Sequence, residues 1–196
     1  MRIGLFGGTF NPVHIAHLII AERARDELHL EKLIFMPCAI PPHKTTQKVA
    51  SASHRLDMLK LATRNHPRFE VSDLEIARGN VSFTVDTLQA LHGMYSCSKE
   101  EMFLIIGEDN VVEFNTWKNP DKILRLCRIV AVKRPNVNLS ENDPVRHPDF
   151  FYIDAPLMDI SSSDIRERVK NNKTITFLVP AAVEEYIVSH QLYRQS

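Results

Sequence analysis

His14 and His17 lie three residues apart, just beyond Gly7, Gly8 and Thr9, in the segment I-G-L-F-G-G-T-F-N-P-V-H-I-A-H that ends at His17. Paired glycines let a backbone come close to a ligand. A threonine adds a hydroxyl, and a helix starting here aims its free N–H groups and positive dipole end at an anion. These are the requirements of a phosphate site. A spacing of three puts both imidazoles on one face of that helix, where they can stabilise charge on a transferring phosphoryl group. The sequence contains neither G-x-x-x-x-G-K-[ST] nor G-x-G-x-x-G, so the histidines stand where a phosphate-loop lysine would. By residue type alone, two surface histidines after a turn fit equally well. A metal-binding H-x-x-H would need a third ligand that the neighbourhood lacks.

A second anion-friendly segment, D-I-S-S-S-D-I-R, spans residues 159–166. Ser161 or Ser162 can cap a helix, Ser163 can offer its hydroxyl beside the first-turn N–H groups, and Arg166 projects about one turn on, toward phosphate oxygens. Read alone, the segment is first of all a helix cap.

Both segments need a scaffold that brings chain ends together. Short apolar runs at residues 2–6, 32–37, 69–72, 102–106, 128–132 and 150–153 read as strands. Amphipathic stretches at 17–28, 53–64, 84–94, 109–114, 120–126, 162–171 and 180–190 read as helices. This alternation predicts an α/β fold, an open parallel sheet with helices on both faces and a helical C-terminal segment. In such a sheet ligands sit beyond the carboxyl ends of the strands, so the proline-rich stretch 37–50, directly after the second strand, is a candidate functional loop. A second irregular stretch covers 133–148. Neither is a domain linker, and residues 1–196 read as a single domain.

The 196 residues are 44% hydrophobic and 24% charged, with 24 Lys+Arg against 24 Asp+Glu. A chain this long buries about two-thirds of its unfolded surface, so neither disulfides nor a structural metal is needed. The balanced charge argues against nucleic-acid or membrane-surface binding, both of which need an excess of Lys and Arg. Cys38, Cys97 and Cys127 are odd in number and form no C-x-x-C, as expected of free thiols in a reducing compartment. No apolar run approaches the roughly 18 residues of a membrane span, and the N-terminus has no signal-peptide core. The expected location is the cytoplasm.

Together the histidine and serine segments resemble the nucleotidyltransferases that carry H-x-G-H after the first strand and I-S-S-T-x-I-R near the C-terminal helices. P-P-H-K at 41–44, S-F-T-V-D-T-L at 82–88, and G-E-D with the later tryptophan between 107 and 117 are similar to the bacterial nicotinate-nucleotide adenylyltransferases in particular. The resemblance covers essentially the whole chain. It implies a Rossmann-like fold whose C-terminal helical segment, from about residue 160, completes the ATP site. It also implies transfer of the adenylyl group of ATP to nicotinate mononucleotide in NAD biosynthesis, with Mg²⁺ carried on the ATP and no protein metal site. Under it, His14, His17 and Arg166 are catalytic, and Gly7, Gly8 and Thr9 line the phosphate turn. Ser161 and Ser163 join Arg166 at the phosphates, while Ile106, Gly107 and Asp109 border the adenosine. His43 and Lys44 approach from the proline-rich loop. Thr84 and Val85 receive the nicotinate carboxylate, Trp117 stacks on the pyridine ring, and Arg134 borders the mononucleotide pocket.

Residue chemistry agrees with these roles while leaving plainer ones open. Helix N–H groups after Ser82 satisfy a planar carboxylate without an arginine, although Ser82 and Thr84 also read as a simple cap. Trp117, in the polar stretch N-T-W-K-N-P, suits a stacking platform or a core anchor. Asp109 can accept ribose hydroxyls or cap a helix, and Lys44 alone reads as a solvated loop residue. The sequence departs from the family pattern at Asn11, Glu108, Ser163 and Ala16; the Ala16 methyl, in place of glycine, can push the phosphates outward. The expected partners are the two substrates, with no nucleic acid and no membrane, in a monomer or small homo-oligomer. The rivals are a sister adenylyl- or cytidylyltransferase, an enzyme that also accepts nicotinamide mononucleotide, and a non-catalytic nucleotide-binding protein.

Overall fold

Six strands, β1 (Ile3–Gly8), β2 (Lys32–Pro37), β3 (Phe69–Val71), β4 (Met102–Gly107), β5 (Arg128–Val132) and β6 (Phe150–Ile153), form one sheet in a computed structural model of the chain. The structure describes residues 1–40, 49–79, 81–132, 149–156 and 158–194. The strand order is β3-β2-β1-β4-β5-β6, and every pairing is parallel. The chain therefore moves outward from β1 in one direction and from β4 in the other. Between the carboxyl ends of these two central strands lies the switch-point crevice where open α/β sheets bind ligands. This is the Rossmann-like fold that the sequence implied.

Alternation along the strands builds two cores. Ile3 and Leu5 face one side with Ile34, Met36, Leu104 and Ile106, and are covered by α4 (Thr84–Tyr95), α5 (Glu108–Glu113) and α6 (Pro120–Leu126) through Val85, Leu88, Val111 and Ile123. Phe6 faces the other side with Leu33, Phe35, Phe103 and Ile105. There α1 (Ile15–Glu27), α2 (Ala52–Thr63), α7 (Ser162–Lys170) and α8 (Ala181–Ser189) supply Ala21, Ala24, Met58, Leu59, Ile165, Val183 and Ile187. Strands buried on both faces explain why the runs read as continuously apolar. Gly4 belongs to this packing: a Cβ there would lie 2.6 Å from Leu30 Cδ1.

The predicted limits of β2, β5, β6 and α6 are observed. The short helix α3 (Leu74–Arg78) is an addition, too brief to show a periodicity, and is closed by Gly79 at φ 70°. Helix α1 starts at Ile15, two residues earlier than its apolar pattern suggests, because His14 serves as its N-cap.

Candidate active site

The glycines at the end of β1 work differently from the turn expected. Gly7 and Gly8 are the last residues of the strand, paired with Met36 and Pro37. Their value is room. A Cβ on Gly7 would meet nothing within 4 Å, so this position leaves an open, exposed stretch of backbone, whereas a Cβ on Gly8 would press on the Phe10 ring at 3.0 Å. The turn itself is made by Phe10, at φ 48° and buried, and by a cis Asn11–Pro12 peptide.

The two histidines open helix α1 together. His14 is the N-cap and its backbone N–H donates to His17 Nδ1 at 3.2 Å. The rings stack, with centroids 3.6 Å apart and planes 26° from parallel. A neutral imidazole that accepts at Nδ1 carries its proton on Nε2, which makes that nitrogen of His17 a donor. Phe10 supports it edge-on at 5.0 Å. Ala16, the departure from the family's glycine, is buried at 5% exposure.

Helix α7 is held against this turn from the far end of the chain. Ser161 caps it, accepting from the Asp164 N–H at 3.1 Å. Ser162 Oγ donates to Pro12 O at 2.9 Å, and Arg166 donates to Asn11 O at 2.8 Å and to Ser163 Oγ at 3.2 Å. Burial pulls the Arg166 guanidinium below its usual pKa, the cost of placing a cation in a part-buried site. The Asn11 side chain ties the turn further, its Oδ1 accepting from Ala50 N–H at 3.1 Å and Tyr193 O–H at 2.9 Å. The structure thus brings the histidine pair and the serine-arginine segment to one place, 150 residues apart in sequence at the Ser162–Pro12 contact.

On the other side of the crevice, Phe83 is the N-cap of α4, with no side-chain cap hydrogen bond among the described residues. Thr84 and Val85 are the first two residues of this helix, where N–H groups can receive an anion. Val85 contributes backbone alone, since its side chain is in the core at 1% exposure. The Ser82 hydroxyl is buried beside the Glu75 carboxyl, which accepts from Thr87 Oγ1 at 2.7 Å. Burial, opposed by those hydroxyls and by Arg78, raises the Glu75 pKa above its ordinary value. Trp117 is partly buried, leaning on Phe114 at 5.6 Å. Its neighbour Lys118 reaches α4, with Nζ 3.0 Å from Asp86 Oδ2 and 4.3 Å from the Phe83 ring centroid. Lys118 thus ties the segment that carries Trp117 to the start of α4.

Ile106 and Gly107 end β4 next to β1, and Gly107 is the N-cap of α5, whose second residue is Asp109. The Ile106 side chain is buried in the core, so this strand end offers backbone to a ligand. His43, Lys44 and Arg134 lie outside the described residues. Cys38, Cys97 and Cys127 are free; burial raises the pKa of all three and keeps them as thiols. Sequence reading passed over Asn11 as the keystone of the turn, Ser162 as its clamp, and Arg55. The last had a visible signal, an arginine in the same helical register as the core residues Met58 and Leu59.

The profile of the cytidylyltransferase-like family matches residues 5–168. The chain belongs to this family. Its relatives include proteins named probable nicotinate-nucleotide adenylyltransferase from Moorella thermoacetica, 45% identical over 98% of this chain and 92% of the relative, and from Thermoanaerobacter sp., 40% identical over 100% and 95%. Membership of the nicotinate-nucleotide adenylyltransferase branch follows from identity at that level over the full length. The fold is also that of the Plasmodium falciparum nicotinic acid mononucleotide adenylyltransferase solved with NaAD, at TM-score 0.81 and 18% identity over 98% of this chain and 97% of that one. The same protein solved with APC gives 0.80. No helix among the described residues is long and apolar enough to cross a membrane.

Proposed function

We propose that this chain transfers the adenylyl group of ATP to the 5′-phosphate of nicotinate mononucleotide, releasing pyrophosphate and forming nicotinate adenine dinucleotide for NAD biosynthesis. The observation that supports the reading best is the joining of the His14–His17 stack to the Arg166 clamp at the end of β1, a candidate anion site. The start of α4, tied by Lys118 to the segment of Trp117, is the second candidate. Each site suits one substrate, and between them lies the switch point.

A phosphate oxygen of the mononucleotide attacks the α-phosphorus of ATP while the bond to the β-phosphate bridging oxygen breaks. The nucleophile is already an anion, so no general base is required, and the protein's work is positioning and charge stabilisation. His17 donates from Nε2 to the transferring group, with His14 stacked behind it, and Arg166 with Ser163 and Ser161 holds the departing phosphates. Gly7 leaves room for them, and Gly8 and Thr9 shape the approach. Ile106, Gly107 and Asp109 border the adenosine. Thr84 and Val85 N–H groups hold the nicotinate carboxylate, Trp117 stacks on the pyridine, and His43, Lys44 and Arg134 complete the pockets.

Among the described residues no three His, Cys, Asp or Glu side chains form a metal site. The imidazole, guanidinium, hydroxyl and N–H donors suit phosphate oxygens and not a protein cage for a hard cation. Mg²⁺ would be carried on the ATP, supplying charge neutralisation at the phosphates that Arg166 and Ser163 hold. The whole chain acts as one catalytic domain in the cytoplasm, as a monomer or small homo-oligomer.

Steady-state pyrophosphate release from Mg·ATP tests the acceptor site. Helix N–H donors favour a carboxylate over an amide, so kcat/KM for nicotinate mononucleotide should exceed that for nicotinamide mononucleotide, and phosphopantetheine should give none. Equal values for the two pyridine substrates would remove the role given to Thr84 and Val85.

A further inference from the structure

Arg55, on helix α2, is among the largest fully buried side chains of the protein, at 1% exposure. Sealed from the crevice, it cannot touch either substrate. Its guanidinium donates to four backbone carbonyls: Thr9 O at 2.9 Å, Cys38 O at 2.7 Å, Ala39 O at 3.0 Å and Ala50 O at 3.1 Å. Thr9 belongs to the phosphate turn, Cys38 and Ala39 follow β2, and Ala50 precedes α2. The Ala50 N–H closes the circuit by donating to Asn11 Oδ1, back in the turn. The connection continues toward the second substrate. Ile40, next after Ala39, pairs with Val81, three residues before Thr84 and the start of α4.

We propose that Arg55 is a positioning residue that holds the ATP turn and the nicotinate half-site in register, so that the attacking phosphate and the α-phosphorus meet. A planar guanidinium with its donors in a fixed fork can span carbonyls from three segments; a lysine ammonium, a point with three donors, cannot hold the same geometry. Since Arg55 contacts no ligand, its loss leaves each substrate's own contacts intact and removes their mutual alignment. A misplacement of about 1 Å at a reacting centre costs on the order of 10²-fold in rate.

The inference rests on the adenylyl-transfer reading, and the test separates the two. Arg55→Lys and Arg55→Met are compared with wild type well below each variant's Tm, with turnover expressed per folded molecule and Kd measured for ATP and for nicotinate mononucleotide singly. The expected result is Kd values within about threefold of wild type and kcat lower by about 10²-fold in the methionine variant, with lysine between. Unchanged kcat per folded molecule would make Arg55 merely structural and overturn the proposal, as would a loss of rate matched by weaker ATP binding alone. Absence of pyrophosphate release by wild type would instead defeat the adenylyl-transfer reading. Should neither variant fold, native-state hydrogen exchange of the wild type decides. The Cys38 amide, bonded to Gly8 O, and the Ala50 amide, bonded to Asn11 Oδ1, should open as one unit with the same denaturant dependence. Earlier opening of Ala50 would overturn the proposal.

Discussion

His17 carries two separable tasks, and substitution can split them. In the proposed mechanism its Nε2–H is the donor to charge developing on the transferring phosphoryl group, and removal of one such donor lowers kcat by about 10²–10³, or about 2.7–4 kcal/mol. Its Nδ1 accepts from the His14 N–H at 3.2 Å while its ring stacks on His14 at 3.6 Å. A lost hydrogen bond and a lost ring pair each cost about 0.5–1.5 kcal/mol. His17→Ala therefore loses both functions, with kcat down by about two to three orders of magnitude and stability down by about 1–3 kcal/mol. For a chain of this size that lowers Tm by on the order of 2–10 °C. His17→Asn places an amide oxygen near the position of Nδ1. It should keep the share of stability due to the hydrogen bond, about half, while losing the ring stack and the same catalytic factor. The assays are pyrophosphate release at saturating substrates and thermal unfolding of both variants. Near-normal turnover in the asparagine variant would refute the donor role of Nε2.

Three further perturbations probe the surrounding contacts. Trp117→Ala removes the stacking platform and should raise KM for nicotinate mononucleotide by about three- to tenfold, with KM for ATP unchanged; equal shifts in both would place Trp117 outside the acceptor pocket. Glu75 has a pKa raised by burial, so the stability it contributes is full below its ordinary value near 4.5 and is lost as pH rises through the folded-state value. Glu75→Gln, whose amide oxygen can still accept from Thr87, should thus gain stability relative to wild type on going from pH 4 to pH 7, and a difference independent of pH would contradict this. Tyr193→Phe deletes the donor to Asn11 Oδ1, which keeps the Ala50 N–H. About 1 kcal/mol should be lost in chemical denaturation, and no change would mean that the hydroxyl adds nothing to the turn.

The sheet was legible because its inner strands are buried on both faces, as at β2 and β5, where prediction and structure coincide. Helix α3 was not, being only five residues long. The importance of Gly7 and Gly8 could be read, but the reason could not: space beside the backbone depends on Phe10 and on the absence of neighbours, which only the fold shows. Histidine spacing indicated a shared face, whereas the N-cap role of His14 and the contact between rings depend on where α1 begins. The Lys118 bridge from the segment of Trp117 to Asp86 of α4 could not be read, because it joins residues far apart in the chain. The register of Arg55 on the apolar face of α2 could be read, but its role could not, since all four of its acceptors are backbone carbonyls with no side-chain signature.

The central claim is that one crevice aligns two phosphates for direct adenylyl transfer. The most direct measurement is chromatographic quantitation of nicotinate adenine dinucleotide and pyrophosphate after mixing the purified protein with Mg·ATP and nicotinate mononucleotide. The account predicts equimolar appearance of the two products, and no exchange of labelled pyrophosphate into ATP when the mononucleotide is withheld. Pyrophosphate without dinucleotide, or exchange in the absence of the acceptor, would contradict it.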